Sequence, residues 1–207
     1  MADPADLSRD PAPTEPAPAR ILAEEPVYSG FATLTRVTFE VPWKGETRRI
    51  VREIEHHGHG ASVLPVDPAR KVGVLLRQFR MPPVMDGRSG WLWEVPAGLL
   101  EGDAPEICAA KEAEEEAGLA MRSLESLGDL LSSPGIIREC VHMFWGTYAG
   151  PPPAATGGLD HEGEMIEVHE MPMADIARMA EDGEILDAKS AVSVLRLKAR
   201  RPDLFEA

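Results

Sequence analysis

Residues 98–119 read Gly98-Leu-Leu-Glu101-Gly-Asp103-Ala-Pro105-Glu106-Ile-Cys108-Ala-Ala-Lys111-Glu112-Ala-Glu114-Glu115-Glu116-Ala-Gly118-Leu119, and this stretch decides the fold. Pro105 is tolerated in a first helical turn, Asp103 stands where a cap would help, and Gly118 is a good stop. The pattern therefore predicts a helix over 104–117. Glu112, Glu115 and Glu116 are spaced i, i+3 and i+4, so their carboxylates share one face of that helix. Glu114 lies about 200° around the helix from Glu112 and is expected in solvent. Three like charges side by side repel one another, and a divalent cation would remove that penalty. The candidate ligands are all oxygens, which suits Mg²⁺ or Mn²⁺ and not zinc. Mg²⁺ in turn favours a phosphate substrate, because it keeps positions open for phosphate oxygens and water. A glutamate run on a helix is more often a plain solvated face, so the surrounding sequence has to choose between the two readings.

Outward from the helix, the N-terminal side reads as strands. Residues 29–41 and 47–56 form two, joined by a turn near Trp43-Lys44-Gly45-Glu46; 61–66 and 72–79 form two more, separated by Asp67-Pro68-Ala69-Arg70. Val72, Val74, Leu75 and Leu76 make a near-continuous apolar run, as expected of a strand buried on both faces. Beyond Gly118, strands are expected at 122–131, 139–148 and 164–171, with a long irregular connection from Pro151 to Gly158. A final helix follows, with Asp187 as its cap and Ala188, Ala191, Val192, Leu195 and Ala199 on one face. There is no internal repeat. The order of strands, helix, strands and helices predicts an α/β sandwich on a mixed sheet. Residues 1–25, with prolines at 4, 11, 13, 16 and 18 and no periodicity, read as a disordered tail; 26–207 is the folded domain.

Bulk properties narrow the function. The chain has 207 residues and 22.5 kDa, suited to one domain, and 43% apolar residues supply a sizeable core. A formal charge of −14 argues against nucleic acid or an anionic membrane as partner. No apolar run approaches the ~20 residues of a spanning helix. The start, MADPADLSRD, lacks the basic and apolar regions of a secretory signal, and there are only two cysteines, Cys108 and Cys140. The expected setting is a reducing cytoplasm.

The pattern around the acidic helix resembles the Nudix box, Gly-x5-Glu-x7-Arg-Glu-apolar-x-Glu-Glu-x-Gly-apolar. Lys111 stands for Arg, Asp103 for the first Glu, and Gly98 is one residue closer than usual. The GDP-mannose pyrophosphatase-like branch of the ADP-ribose pyrophosphatase group is similar in these same departures, with a Glu106-Ile-Cys108 ahead of Lys111-Glu112-Ala113. The resemblance extends to Gly58-His-Gly60-Ala61, Leu76-Arg77-Gln78-Phe79-Arg80 and Asp86-Gly87-Arg-Ser-Gly90-Trp-Leu-Trp-Glu94. It continues through Ser133-Pro134-Gly135 and Gly183-Glu184-Ile185-x-Asp187-x-Lys189, so it covers roughly residues 28–200.

This resemblance implies a Nudix α/β/α sandwich with a mixed sheet, preceded by an N-terminal antiparallel sheet (26–57) through which relatives form homodimers. It implies Mg²⁺ or Mn²⁺ held by the carbonyl of Ala97 with Glu112 and Glu116, Glu115 close by and Glu94 a further acidic position. A base for the attacking water is implied on the loop Asp160–Val168, with Glu164 first and Glu162 second. Arg77 and Arg80, three apart on a strand, face opposite sides, and Arg80 is the better substrate candidate. Arg52 and Lys189 match substrate-contacting positions, although a surface ion pair accounts for either equally well. The histidines His56, His57 and His59 are read as structural, Cys108 as packed in the core, and Trp91 and Trp93 as core residues. The implied reaction is hydrolysis of a nucleoside diphosphate sugar, GDP-mannose or ADP-ribose, to a nucleoside monophosphate and a sugar phosphate. Two rivals stay open: a catalytically silent domain that senses a nucleotide sugar, and a hydrolase of other nucleoside diphosphate derivatives.

Overall fold

The computed structural model describes residues 19–149, 156–157 and 165–206. Its strands and helices in chain order are β1 (Arg20–Ser29), β2 (Thr33–Trp43), β3 (Glu46–His56), β4 (Gly60–Asp67), β5 (Val72–Phe79), α1 (Met81–Met85), β6 (Trp91–Glu94), β7 (Ala97–Leu99), α2 (Pro105–Ala117), β8 (Ala120–Leu131), β9 (Cys140–Ala149), β10 (Thr156–Gly157), β11 (Ile166–Pro172), α3 (Met173–Glu181) and α4 (Ala188–Arg200). They fall into two compact units. One takes in β1–β3 and Leu131–Cys140, and the other takes in Gly60–Leu130 and the chain from Val141 onward. Among the described residues, no helix is long and apolar enough to cross a membrane.

In the first unit β1, β2 and β3 form an antiparallel sheet in that order. Lys44 and Gly45 take φ of 50° and 81°, and two left-handed residues in a row turn the β2–β3 hairpin in the sense of its twist. β1 starts at Arg20, inside the segment read as tail. It buries almost nothing (Ile21 is 55% exposed), so composition gave no sign of it; its main-chain pairing with β2 from Arg20↔Glu40 to Ser29↔Thr33 makes it a strand. The Pro-rich residues 1–18 lie outside the described residues. The segment after β8 is tied to β3 by Glu55 N–H to the Ile136 carbonyl (2.9 Å) and Arg138 N–H to the Glu55 carbonyl (2.8 Å). The three histidines serve this unit. His56 meets the Arg138 carbonyl, His57 bridges Glu55 and Glu139, and His59 Nδ1 accepts from Cys140 N–H. The hydrogen bond to Glu55, opposed by partial burial and helped by both nearby carboxylates, raises the His57 pKa above its ordinary value.

The second unit is a three-layer sandwich. Its sheet runs β10-β11-β5-β4-β9-β8, with β6 beside β5 and β7 beside β4; β4 and β9 are parallel, while β4–β5, β5–β11 and β4–β7 are antiparallel. Strand alternation sorts the core. Ala61, Val63, Val74, Leu76, Phe144 and Ile166 pack toward α2, and Leu64, Val66, Leu75, Met143 and Trp145 pack toward α3 and α4. The apolar run in β5 is thus buried on both faces. At one end of the sheet, Arg70 gathers Asp67 (2.6 Å), both oxygens of Glu170 (2.7 Å each) and the Tyr148 hydroxyl (3.1 Å), tying the β4–β5 turn to β9 and β11.

Two local expectations change. The residue before α2 is Ala104, and no side chain caps it; Asp103 is one position too early, its own N–H going to the Leu100 carbonyl in a turn. The buried face of α4 is Ser190, Ser193, Val194 and Leu197, with Ala191 and Val192 partly buried, whereas Ala188, Leu195 and Ala199 are exposed. The two serines escaped an apolar pattern because small hydroxyl residues, not large side chains, bring this helix onto the sheet. Asp187 does cap α4, its Oδ2 accepting from Ser190 N–H at 3.0 Å.

Candidate active site

Helix α2 lies against the sheet through Cys108, Ala109, Ala113 and Ala117, all buried and all small. Small side chains let the helix backbone approach closely. Residues 112 and 116 sit one helical step to the side of 109 and 113, about 60° around the axis, so their carboxylates reach β7. Glu116 is 3% exposed, and its Oε2 accepts from Ala97 N–H at 2.9 Å. Glu112 presses on Gly98: a Cβ placed there would stand 2.1 Å from Glu112 Oε1 and 2.3 Å from Cδ. Position 98 is glycine because a carboxylate occupies the space of its side chain. Cys108 faces the same strand, its thiol donating to the carbonyl of Leu99 (3.4 Å) and more distantly to that of Gly98 (3.7 Å). Burial, with the charge of Glu112 adding to it, pushes that thiol up to about 11. It stays protonated, a weak donor and not a metal ligand.

The donor set at β7 is therefore carboxylate and backbone oxygen with no ionised sulfur. That fits a hard divalent cation and not a soft one. Ala97, Glu112 and Glu116 are the residues able to hold it. Glu115 sits one further step around the helix, half-buried, with Lys111 Nζ at 3.9 Å, while Glu114 is exposed as expected.

Glu94, expected beside the metals, is held by two cations. Its carboxylate is 3% exposed and both oxygens are taken: Arg80 Nε meets Oε1 at 2.8 Å, and Arg80 Nη2 (2.9 Å) and Lys189 Nζ (2.7 Å) meet Oε2. Burial opposes the charged form, but the hydrogen bonds from Arg80 and the charge of Lys189 outweigh it and hold the carboxyl at about 2. Lys189 also lies 3.1 Å from Asp187. Burial works against its charge too, yet Asp187 and Glu94 raise its pKa. The sequence reading gave Glu94 to the metals and Arg80 and Lys189 to the substrate. The structure joins the three to one another, because a buried carboxylate without cations would be far costlier than this clamp.

The remaining candidates have other contacts. Arg77 is paired across the sheet with Trp93 and stacks its guanidinium over that ring, 5.4 Å from the centroid; His169 packs T-shaped against Trp93, ring centroids 4.9 Å apart. Trp91 packs edge-on to Phe79. Arg52 is exposed on β3 in the first unit, donating to the Val51 carbonyl. Glu162 and Glu164 lie outside the described residues. The sequence reading missed Ser190, whose Oγ accepts from Val95 N–H at 2.8 Å. A lone serine in a helix gives no signal until its partner strand is known.

Comparisons with known proteins agree with this geometry. The model of the NUDIX domain matches residues 56–190. GDP-mannose pyrophosphatase of Escherichia coli strain SMS-3-5 / SECEC is 37% identical over 174 residues, covering 83% of this chain and 91% of its own. GDP-mannose pyrophosphatase of Shigella sonnei strain Ss046 matches with the same identity and coverage. A crystal structure of an ADP compounds hydrolase superimposes with a TM-score of 0.69 at 18% identity, over 89% of this chain and 94% of that one, and shares the fold. The chain belongs to the NUDIX family, in the branch that holds the GDP-mannose pyrophosphatases.

Proposed function

We propose that this protein hydrolyses the diphosphate bond of a nucleoside diphosphate sugar, releasing a nucleoside monophosphate and a sugar phosphate. The observation that carries the reading is the convergence of Glu112 and Glu116 on the backbone of Ala97 and Gly98. The carbonyl of Ala97 with Glu112 and Glu116 would hold Mg²⁺ or Mn²⁺, which would neutralise the diphosphate and polarise the attacked phosphorus. Glu115 lies at the rim of this set. A loop acid, Glu164 before Glu162, takes the proton from the attacking water. The water oxygen bonds to one phosphorus as the bridging P–O bond breaks, and the departing phosphate carries the bond's electron pair. Arg52, Arg80, Arg77 and Lys189 are the cations proposed to meet the substrate, with Arg80 and Lys189 oriented by Glu94.

GDP-mannose is favoured over ADP-ribose by the Lys111-type box, by the Lys189 motif and by the named activity of the relatives. The protein with Mg²⁺ is expected to release monophosphate from GDP-mannose faster than from ADP-ribose, UDP-glucose or diadenosine substrates, and EDTA is expected to stop it. If no substrate turned over with Mg²⁺, the silent-sensor reading would replace this one.

The second part of the proposal is a homodimer formed through the N-terminal sheet. One face of β2 and β3 carries Val37, Phe39, Val41, Ile50 and Ile54 around a groove of about 970 Å³, and Arg52 lines it as well. An open apolar groove of this size favours a second copy over water, and in that dimer Arg52 would read the partner's substrate. Sedimentation should give a mass near twice 22.5 kDa. A monomer at micromolar concentration would rule the dimer out.

A further inference from the structure

The five residues 94–98 are each held by a different contact. Glu94 is clamped by Arg80 and Lys189, Val95 N–H goes to Ser190 Oγ (2.8 Å), and the Pro96 carbonyl accepts from Val63 N–H (3.0 Å). Ala97 N–H goes to Glu116 (2.9 Å), and Gly98 takes the Glu112 carboxylate. The contacts from α4 close into a ring. Ser190 Oγ donates to Asp187 Oδ2 (2.5 Å), which also receives Ser190 N–H (3.0 Å) and lies 3.1 Å from Lys189 Nζ. Lys189 reaches Glu94 (2.7 Å), whose neighbour Val95 donates back to Ser190. The ring fixes the direction of every hydrogen bond in it. Asp187 can only accept, so the Ser190 hydroxyl proton points at Asp187 and its lone pairs face Val95 N–H.

We infer that Ser190, oriented by Asp187, is a positioning residue for the metal site: it sets the backbone at Val95 so that Ala97 and Gly98 meet Glu116 and Glu112. Ser190 is fully buried. Without its oxygen, Val95 N–H is a buried donor with no acceptor at that place. The strand exit would then shift toward other oxygens, and β7, two residues on, would shift with it. The effect belongs to the class of supporting contacts around metal ligands, whose loss weakens metal binding without removing a ligand.

The inference rests on the metal assignment above, so the test separates the two. Mn²⁺ binding is measured by EPR titration of the intact protein, alongside thermal melting and kcat on GDP-mannose, for Ser190→Ala, Ser190→Thr, Asp187→Asn and Glu116→Gln. Ser190→Ala is expected to weaken Mn²⁺ binding about 10-fold and to lower kcat. Ser190→Thr, which keeps the hydroxyl, should recover most of that binding. Asp187→Asn keeps an acceptor oxygen but removes the charge beside Lys189, which stays paired with Glu94, and should weaken binding in the same direction by a smaller factor; it decides the matter if Ser190→Ala does not fold. A lower melting temperature with unchanged Mn²⁺ affinity in these variants would make the ring merely structural and overturn the inference. If Glu116→Gln bound Mn²⁺ as wild type does, the metal assignment itself would fall. If only that variant lost binding, the assignment would stand and the positioning role alone would be refuted.

Discussion

Glu116→Gln is expected to lower kcat on the order of 10³-fold while the melting temperature stays within a few degrees of wild type. A ligand carboxylate contributes several kcal/mol of charge stabilisation through the cation it holds, and each ~1.4 kcal/mol is a factor of ten in rate. The amide keeps an oxygen for Ala97 N–H, which Glu116 now accepts at 2.9 Å, so the strand remains anchored. The variant also sheds a charge buried to 3% exposure, and that relieves desolvation. A second readout follows from linkage. Mg²⁺ should raise the melting temperature of the wild type and not of the variant, because only a bound ligand shifts the folding equilibrium. Undiminished turnover in Glu116→Gln would end the assignment of this residue as a ligand.

Glu94→Gln should behave in the opposite way, costing stability first. Removing one partner of a buried ion pair typically costs ~3–5 kcal/mol, because the remaining charges keep their desolvation penalty. Here Arg80 would lose its carboxylate partner and Lys189 would keep only Asp187. The loss should also depend on pH. The Glu94 carboxyl is held at about 2 against an ordinary value of 4.5, so the folded state binds its proton less readily than the unfolded state. Its contribution is fully present above the ordinary value and disappears as pH falls toward the folded one. Urea midpoints of wild type and variant should therefore differ widely at pH ~7 and converge by pH ~2.5. A gap of constant size across that range would mean that the carboxylate's charge is not what stabilises the site.

Much of this arrangement was legible in the sequence, for identifiable reasons. Helical spacing alone put Glu112, Glu115 and Glu116 on one face and Glu114 on another, and Gly118 ended the helix with φ 67° as a left-handed cap. The double-sided burial of β5 was visible in its unbroken apolar run. Elements held by pairing instead of burial were hidden: β1 shows no apolar pattern because it buries almost nothing. The mutual pairing of Glu94, Arg80 and Lys189 was hidden for a related reason. A motif says which residues gather near a site, but only three-dimensional packing says which of them neutralise one another. Ser190 was invisible because its importance lies in one hydrogen bond to a strand 95 residues away in the chain.

The segment 94–98 draws two supports from α4, another from β4 and two more from α2. Neither helical layer can assemble the ion cradle by itself. A folding intermediate with α2 docked but α4 still loose would keep most of its helix and sheet and yet be blind to divalent ions. The cradle is therefore a property of the finished sandwich and not of its acidic helix alone.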